Sequence, residues 1–553
     1  MAKGKPLLRW AGILLVFAAV FFLGLEAQGG KEAGQAPASG PADLIKIDTM
    51  AAFGKLDMPA VTYFHDKHTD ALLKEKKSCE TCHYVENGKL SLAFKRKQGT
   101  KPAALKEIYH GNCIGCHQEM VAANKKSGPL DGFCRDCHNA QPPAAVRLDA
   151  GLDKVLHYRH IEDKKIVPAA GQKDNCSVCH HDYDKKANKT VAAPGQENSC
   201  RYCHLDKEQK GVKSLQQASH EQCTLCHLDL AKKGSKDNLP VRCADCHSAK
   251  AKALVAKKNQ EVLAKLDNKL PRLNRGQPNE VLLVAKTAGP KGGKAVTMNP
   301  VPFDHKAHEK SSDSCRACHH ASMDSCAKCH TLAGTKEGGG VTFEQSMHLK
   351  SSKHSCIGCH AAKQAEPACV GCHQSIVETG KADSASCKQC HMQLPQGVLK
   401  SEVAKMPPQQ KAGLAETLLK GRNLHQGTYA QVDIPETVVI KELSDKYLAV
   451  EMPHRQHVTS LMKGMKDNQL AGYFHSDAGT VCQGCHHNSP LSKSPPSCVS
   501  CHAKSVGQAV FDPRDANRPG LLAAYHGQCM SCHKAMAVKP AATACLECHK
   551  EKK

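Results

Sequence analysis

Aromatic side chains are scarce in this 553-residue sequence: they make up 4% of it, and tryptophan occurs once. Mean hydropathy is −0.46. Length alone would suit about three or four domains, but so few large apolar groups exclude a set of ordinary side-chain cores. After residue 25 no apolar run reaches spanning length, which excludes a membrane-embedded body. The one long apolar run, Ala11 to Leu25, follows Lys3, Lys5 and Arg9 and ends near the small residues Gly24 and Ala27. That is the pattern of a secretory signal over residues 1–27, with an uncleaved anchor as the competing reading.

Cysteine is also missing from everywhere except one motif. All 32 cysteines fall in sixteen copies of Cys-x-x-Cys-His. The pairs are Cys79 and Cys82, Cys113 and Cys116, Cys134 and Cys137, Cys176 and Cys179, Cys200 and Cys203, Cys223 and Cys226, Cys243 and Cys246, and Cys315 and Cys318. They continue with Cys326 and Cys329, Cys356 and Cys359, Cys369 and Cys372, Cys387 and Cys390, Cys482 and Cys485, Cys498 and Cys501, Cys529 and Cys532, and Cys545 and Cys548. Disulfide scaffolds and zinc knuckles need no histidine after every second cysteine. Attachment of c-type haem does: two thiols add to the porphyrin vinyl groups, and the adjacent imidazole becomes the proximal iron ligand. Sixteen covalently attached haems are therefore expected.

That cargo accounts for the composition. About 33 residues per haem are too few for a conventional haem-in-protein globule, so the haems supply much of the apolar interior. The formal charge of +23 invites a nucleic-acid reading, but loss of residues 1–27 leaves about +21, and two propionates per haem bring that to about −11 in the ferrous state and about +5 in the ferric state. Lysine-rich runs such as Lys74, Lys76 and Lys77 then read as solvated faces rather than nucleic-acid sites.

Eighteen of the 34 histidines lie outside the motifs, close to the sixteen needed as second axial ligands. A His-x-x-His pair occurs four times, at His65/His68, His157/His160, His305/His308 and His454/His457. Three of the motifs that follow carry a doubled histidine: His180-His181, His319-His320 and His486-His487. Self-similarity of this kind marks repeated modules. The order His-x-x-His, CxxCHH, CxxCH, lone His, CxxCH, CxxCH resembles the tetrahaem cytochrome c3 group. Over the whole mature chain, the sequence is similar to the large sixteen-haem cytochromes of sulfate-reducing bacteria.

The resemblance implies a ligand pairing. In residues 451–553 it pairs His454 with His486, His487 with His502, His457 with His533 and His526 with His549. In residues 151–250 it pairs His157 with His180, His181 with His204, His160 with His227 and His220 with His247. In residues 44–150 Tyr84 replaces the doubled histidine, leaving a trihaem set: His65 with His83, His68 with His117 and His110 with His138. Residues 300–400 carry five motifs, giving His305 with His319, His320 with His330, His308 with His360 and His348 with His391. The fifth, on His373, resembles the isolated haem of nine-haem cytochromes. His354 or His425 completes it, or that iron stays five-coordinate. The haem on Cys243 and Cys246 is second in line for a vacancy, because His220 sits in an atypical context. His475 reads as an ordinary exposed histidine.

The fold class expected is a multihaem cytochrome c of c3-like modules: loop-rich, with short helices, minimal sheet and a core built around covalent haems. Residues 28–43 read as a flexible tail, 251–266 as a helix followed by a linker within 251–299, and 401–450 as a motif-free insert. Within the insert Gln409–Lys420 reads as a helix and 437–440 as a short strand; strands are also expected before each His-x-x-His pair. Histidine on both iron faces leaves no open position and favours low potentials, which suits electron transfer rather than catalysis. A multihaem reductase with one open iron is the alternative reading, and a haem-stabilised scaffold a third. The resemblance further implies a periplasmic location, a hydrogenase acting through tetrahaem cytochrome c3 as donor, and a membrane-bound redox complex as acceptor. No nucleic acid or small-molecule substrate is expected.

Overall fold

The computed structural model describes residues 41–552, apart from 87–88, 96–99, 236–238, 286–297, 375–383, 423–426, 467, 505–510 and 513–514. The signal sequence, most of the tail and the run around Pro290 lie outside the described residues. The chain divides into two compact units, Met1–Arg272 and Leu273–Lys553.

Sheet is confined, among the described residues, to two-stranded antiparallel hairpins. Three of them deliver a His-x-x-His pair. Leu44–Ile47 pairs with Val61–Phe64 in the register Leu44 to Phe64, and the chain runs straight into the helix His65–Lys74. Glu280–Leu283 pairs with Val301–Asp304 ahead of the helix His305–Ser311. Val438–Ile440 pairs with Val450–Met452 ahead of His454–Met465. A strand was expected before the second pair as well, and none is there. Asp153 instead caps the helix Lys154–Ile161, accepting the Leu156 amide at 2.7 Å, so a side-chain cap does the aligning that a hairpin does elsewhere.

Most Cys-x-x-Cys stretches form a single helical turn, for example Cys134–Cys137, Cys326–Cys329 and Cys545–Cys548. A spacing of three puts both sulfurs on one side of that turn. The histidine amide then closes on the first cysteine carbonyl, at 2.8 Å for His138, His180 and His486. Longer helices carry the lone histidine together with its neighbouring motif: Pro102–Ala122 and Leu521–Met536. The equivalent stretch of the second module runs Leu215–Ser219, a wide π-type turn His220–Thr224, then Leu225–Lys232. A leucine lies five residues before each lone histidine, at Leu105, Leu215 and Leu521. Leu105 is 2% exposed and Leu521 0%. Leu105→Ala is accordingly expected to cost about 2–5 kcal/mol of stability, read as a lowered urea midpoint of the holoprotein.

Within the first unit, modules one and two are stitched together by polar contacts. Asp66 accepts the amides of Cys243 and Ala244 at 3.1 and 2.9 Å, and Arg242 pairs with Asp70 at 2.7 Å. The helix Ala249–Lys265 closes against the second module through Asn259, which donates to Asp153 at 2.8 Å and accepts from Arg159 at 3.1 Å. In the second unit the insert is part of module three. Its helix Pro408–Lys420 buries Ala415 and Leu418 with Val403 and with Leu282 of the hairpin. Among the described residues, the other buried apolar side chains, such as Leu105, Ile434, Val458 and Leu521, lie outside this cluster.

Candidate haem-ligation sites

Two imidazoles bound on opposite sides of one iron, with bonds of about 2 Å, hold their ring centres about 6.3 Å apart. That distance is the test of whether the residues fit the group. In module one the separations are 6.3 Å for His65–His83, 6.2 Å for His68–His117 and 6.4 Å for His110–His138. In module two they are 6.1 Å for His157–His180, 6.4 Å for His160–His227, 6.0 Å for His181–His204 and 6.1 Å for His220–His247. Module three gives 6.3 Å for His305–His319, 6.4 Å for His308–His360, 5.8 Å for His320–His330 and 6.1 Å for His348–His391. Module four gives 6.3 Å for His454–His486, 6.1 Å for His457–His533, 5.9 Å for His487–His502 and 6.0 Å for His526–His549. Every pair implied by the cytochrome c3 resemblance is brought face to face.

The sixteenth proximal histidine corrects the sequence reading. His373 faces His475 at 6.0 Å, so the partner is the residue taken for an ordinary exposed histidine. His354 lies elsewhere, 5.1 Å from His320 and bonded through Nδ1 to the Ala317 carbonyl at 2.9 Å. That separation is too short for two rings to face each other across an iron, so His354 is not an axial partner there. His425 is outside the described residues. His220 also faces its partner despite its atypical context, because the π-type turn re-aims it. The expectation of a five-coordinate iron on the Cys369 and Cys372 motif, or on that of Cys243 and Cys246, therefore loses its basis: both proximal histidines have a facing imidazole.

A signal for His475 did exist in the sequence. The gap between His457 and Cys482 is the longest between any His-x-x-His pair and its following motif, and His475 lies inside it. The helix Gln469–Phe474 ends at His475 and is held from the insert, where the Arg422 guanidinium stacks 4.7 Å over Tyr473 and 5.6 Å from Phe474. Phe474 in turn meets His360 edge-on at 5.5 Å.

The motif of Cys369 is likewise not isolated. A Cβ on Gly371 would lie 2.5 Å from Met536 Sδ and 2.8 Å from Cys532 Sγ, and one on Gly484 would lie 3.0 Å from Cys372 Sγ. Only glycine at both positions lets the Cys369 turn of module three touch the Cys482 and Cys529 turns of module four. A haem held at the fifth site of module three would thus take its thiols and proximal histidine from one module and its distal histidine from the next.

None of the 32 cysteines is joined in a disulfide, so every motif keeps both thiols for attachment. Their surroundings differ, and four second thiols are assigned by the neighbouring histidine rather than by burial. Cys116 is half-buried on the helix Pro102–Ala122, while Cys359, on the helix Cys356–Gln364, is exposed. Cys203 closes the turn Cys200–Tyr202 and Cys501 ends the turn Cys498–Cys501, both exposed. What marks Cys116, Cys203, Cys359 and Cys501 as attachment thiols is the next residue in each case. His117, His204, His360 and His502 all have an imidazole opposite, at 6.2, 6.0, 6.4 and 5.9 Å.

Orientation within the pairs is set by the other ring nitrogen. Nδ1 of His83 meets the Ala93 carbonyl at 3.4 Å, His117 that of Pro129 at 2.8 Å, His227 that of Pro240 at 2.8 Å, and His502 that of Pro519 at 2.8 Å. The second histidine of each His-x-x-His pair bonds back four residues: His68 to Phe64, His160 to Leu156, His308 to Asp304 and His457 to Pro453, at 2.7–2.8 Å. Occupying Nδ1 fixes the tautomer and leaves Nε2 free for a metal. Burial lowers the pKa of His68, His83, His220, His360, His373 and His475 and so favours the neutral, ligating imidazole. Burial pushes the half-buried Cys113 thiol the other way, to about 11. Aromatic rings brace two of the distal ligands, Tyr63 stacking on His68 at 4.3 Å and Phe303 lying 4.2 Å from His308.

Residues 42–138, 153–247, 283–391 and 440–552 each match the class III cytochrome c family. The chain is 44% identical over its full length to the high-molecular-weight cytochrome c of Nitratidesulfovibrio vulgaris Hildenborough, all of which it covers. Its fold is similar to the crystal structure of a high-molecular-weight cytochrome c from Desulfovibrio vulgaris Miyazaki F, with a TM-score of 0.80 and 44% identity, covering 96% of this chain and 100% of that one. It is also similar to the sixteen-haem cytochrome of Desulfovibrio gigas, with a TM-score of 0.74 and 37% identity, covering 93% and 100%. With four family repeats, each bringing its own histidine pairs into register, this chain belongs to the class III cytochrome c family and is a multihaem, haem c-binding electron-transfer protein.

Proposed function

We propose that the chain carries sixteen haems, each held between two histidines, and acts as an electron conduit and store in the periplasm. The observation that supports this reading is the set of sixteen histidine pairs at 5.8–6.4 Å, one for every Cys-x-x-Cys-His motif. Bound there, the haems would supply one-electron chemistry at low potential. The protein's own part is to hold the ligands on both faces, exclude exogenous ligands and keep neighbouring motifs in contact. Export is supported by the basic and apolar pattern of residues 1–27. Among the described residues no helix is long and apolar enough to cross a membrane.

The donor in this reading is a hydrogenase acting through a small tetrahaem cytochrome c3, and the acceptor is a membrane-bound redox complex of anaerobic sulfate respiration. Both rest on the family resemblance. Mass spectrometry of the mature protein tests the haem count. A mass carrying sixteen haems with no alkylatable thiol is expected, and a lower count with reactive cysteines refutes it. Stopped-flow reduction by hydrogenase tests the donor: reduction is expected to speed up on adding tetrahaem cytochrome c3, and no acceleration would remove that partner.

A further inference from the structure

Glu309 lies 2.8 Å from Nδ1 of His305 within its own module, whereas Asp66 stands beside an axial histidine of one module and also holds the attachment turn of another. It lies within the first His-x-x-His pair, directly after His65, where the other three modules carry Tyr158, Lys306 and Arg455. It is 9% exposed. Its carboxylate accepts the backbone amides of Cys243 and Ala244 at 3.1 and 2.9 Å, at the start of the attachment turn Cys243–His247. The same carboxylate stands 3.7 Å from Nδ1 of His65, within ion-pair reach though too long for a hydrogen bond. That Nδ1 is buried and has no hydrogen-bond partner, whereas Nδ1 of His68 and His83 is tied to a carbonyl. Asp66 itself is anchored from behind, its amide donating to Asp43 at 3.0 Å. The cation nearby, Arg147, is committed to the carbonyls of Ala42 and Leu44.

We propose that Asp66 is a shared positioning residue for electron transfer between modules one and two, fixing two haem sites against each other and lowering both of their reduction potentials. One site is that of Cys79 and Cys82, reached through His65; the other is that of Cys243 and Cys246, reached through the two amides. The proposal rests on the histidine-ligation reading above. A negative charge beside an axial imidazole makes the ligand a stronger donor and stabilises the ferric iron. In a partly desolvated setting that charge acts over several ångströms, so one carboxylate between two sites biases both. The triad His65, Asp66 and Cys243 lies close enough to suggest a metal site, but His65 and Cys243 are committed to haem.

Asp66→Asn keeps the size and an acceptor oxygen while removing the charge. Haem content of the purified full-length variant is measured first; a parent that itself lacks sixteen haems refutes the ligation reading, not this one. Spectroelectrochemical titration then reads the potentials. The expected result is a positive shift worth two electrons of the sixteen, with the rest of the curve superimposable on the parent. Asp70→Asn, which breaks the Arg242 pair at the same interface, is expected to shift nothing. No shift, a shift of one electron, or the same shift from Asp70→Asn overturns the proposal. Should Asp66→Asn fail to take up haem, Asp66→Glu answers instead, since it keeps the charge but displaces it by one methylene. Movement of the same two potentials relative to the other fourteen supports the assignment, and their constancy overturns it.

Discussion

Alanine in place of His475 is expected to change the coordination of one haem in sixteen and leave fifteen untouched. His373 would keep its bond to the iron, but the facing imidazole at 6.0 Å would be gone. A small cavity lined by Met462, Met465, Ala471 and Val481 adjoins His475, so the vacated face is expected either to stay open or to be taken by a thioether from that cavity. The first gives a high-spin ferric signal of about one iron per molecule, and the second a histidine–methionine centre at raised potential. Electron paramagnetic resonance of the oxidised protein, followed by redox titration, reads both. His354→Ala is expected to leave every iron low-spin, because that residue lies beside His320 and outside the pair across the iron. A parent-like spectrum from His475→Ala, or a new high-spin signal from His354→Ala, would reverse the assignment.

Valine at Gly371 is expected to separate the attachment turns of modules three and four. Its Cβ would stand 2.5 Å from Met536 Sδ and 2.8 Å from Cys532 Sγ. The methionine can swing away, since its side chain is unbranched and flexible. The Cys532 sulfur cannot, because a thioether bond would hold it to the porphyrin. Overpacking of this kind costs about 1–3 kcal/mol, here concentrated on a contact between two modules. The expected outcome is a lowered unfolding midpoint and slower internal equilibration of electrons after flash reduction. Met536→Ala added to Gly371→Val is expected to recover part of the stability and little of the rate. Unchanged equilibration in Gly371→Val would show that the turn-to-turn contact is not the path.

Thirty-two cysteines in one invariant spacing determine the chemistry of this chain by themselves, because a Cys-x-x-Cys turn followed by histidine is a local structure. The same is true of the His-x-x-His pairs, where a spacing of three on a helix sends both rings to one side and the second bonds back to the carbonyl four residues earlier. The helices of 249–265 and 408–420 and the strand 438–440 were equally legible, each resting on a local pattern of apolar or β-branched residues. Pairings within a module came from the resemblance to cytochrome c3, carried over to each repeat residue by residue.

The tertiary structure alone decided what happens where modules meet. His475 has no repeat partner in the other modules, so comparison of the repeats marks the long gap that holds it but not which iron it faces. Its role depends on Arg422, Tyr473 and Phe474 steering one helix end toward a motif about a hundred residues earlier in the chain. Gly371 and Gly484 look like any variable residue of a Cys-x-x-Cys turn until the facing turn is known to lie within van der Waals reach. Asp66 reads as a charged residue on a helix until its carboxylate is seen to accept amides 177 and 178 positions away. Local spacing carries information over one or two turns of chain. Contacts between modules are set by how whole surfaces pack, and that packing is specified nowhere in the repeat itself.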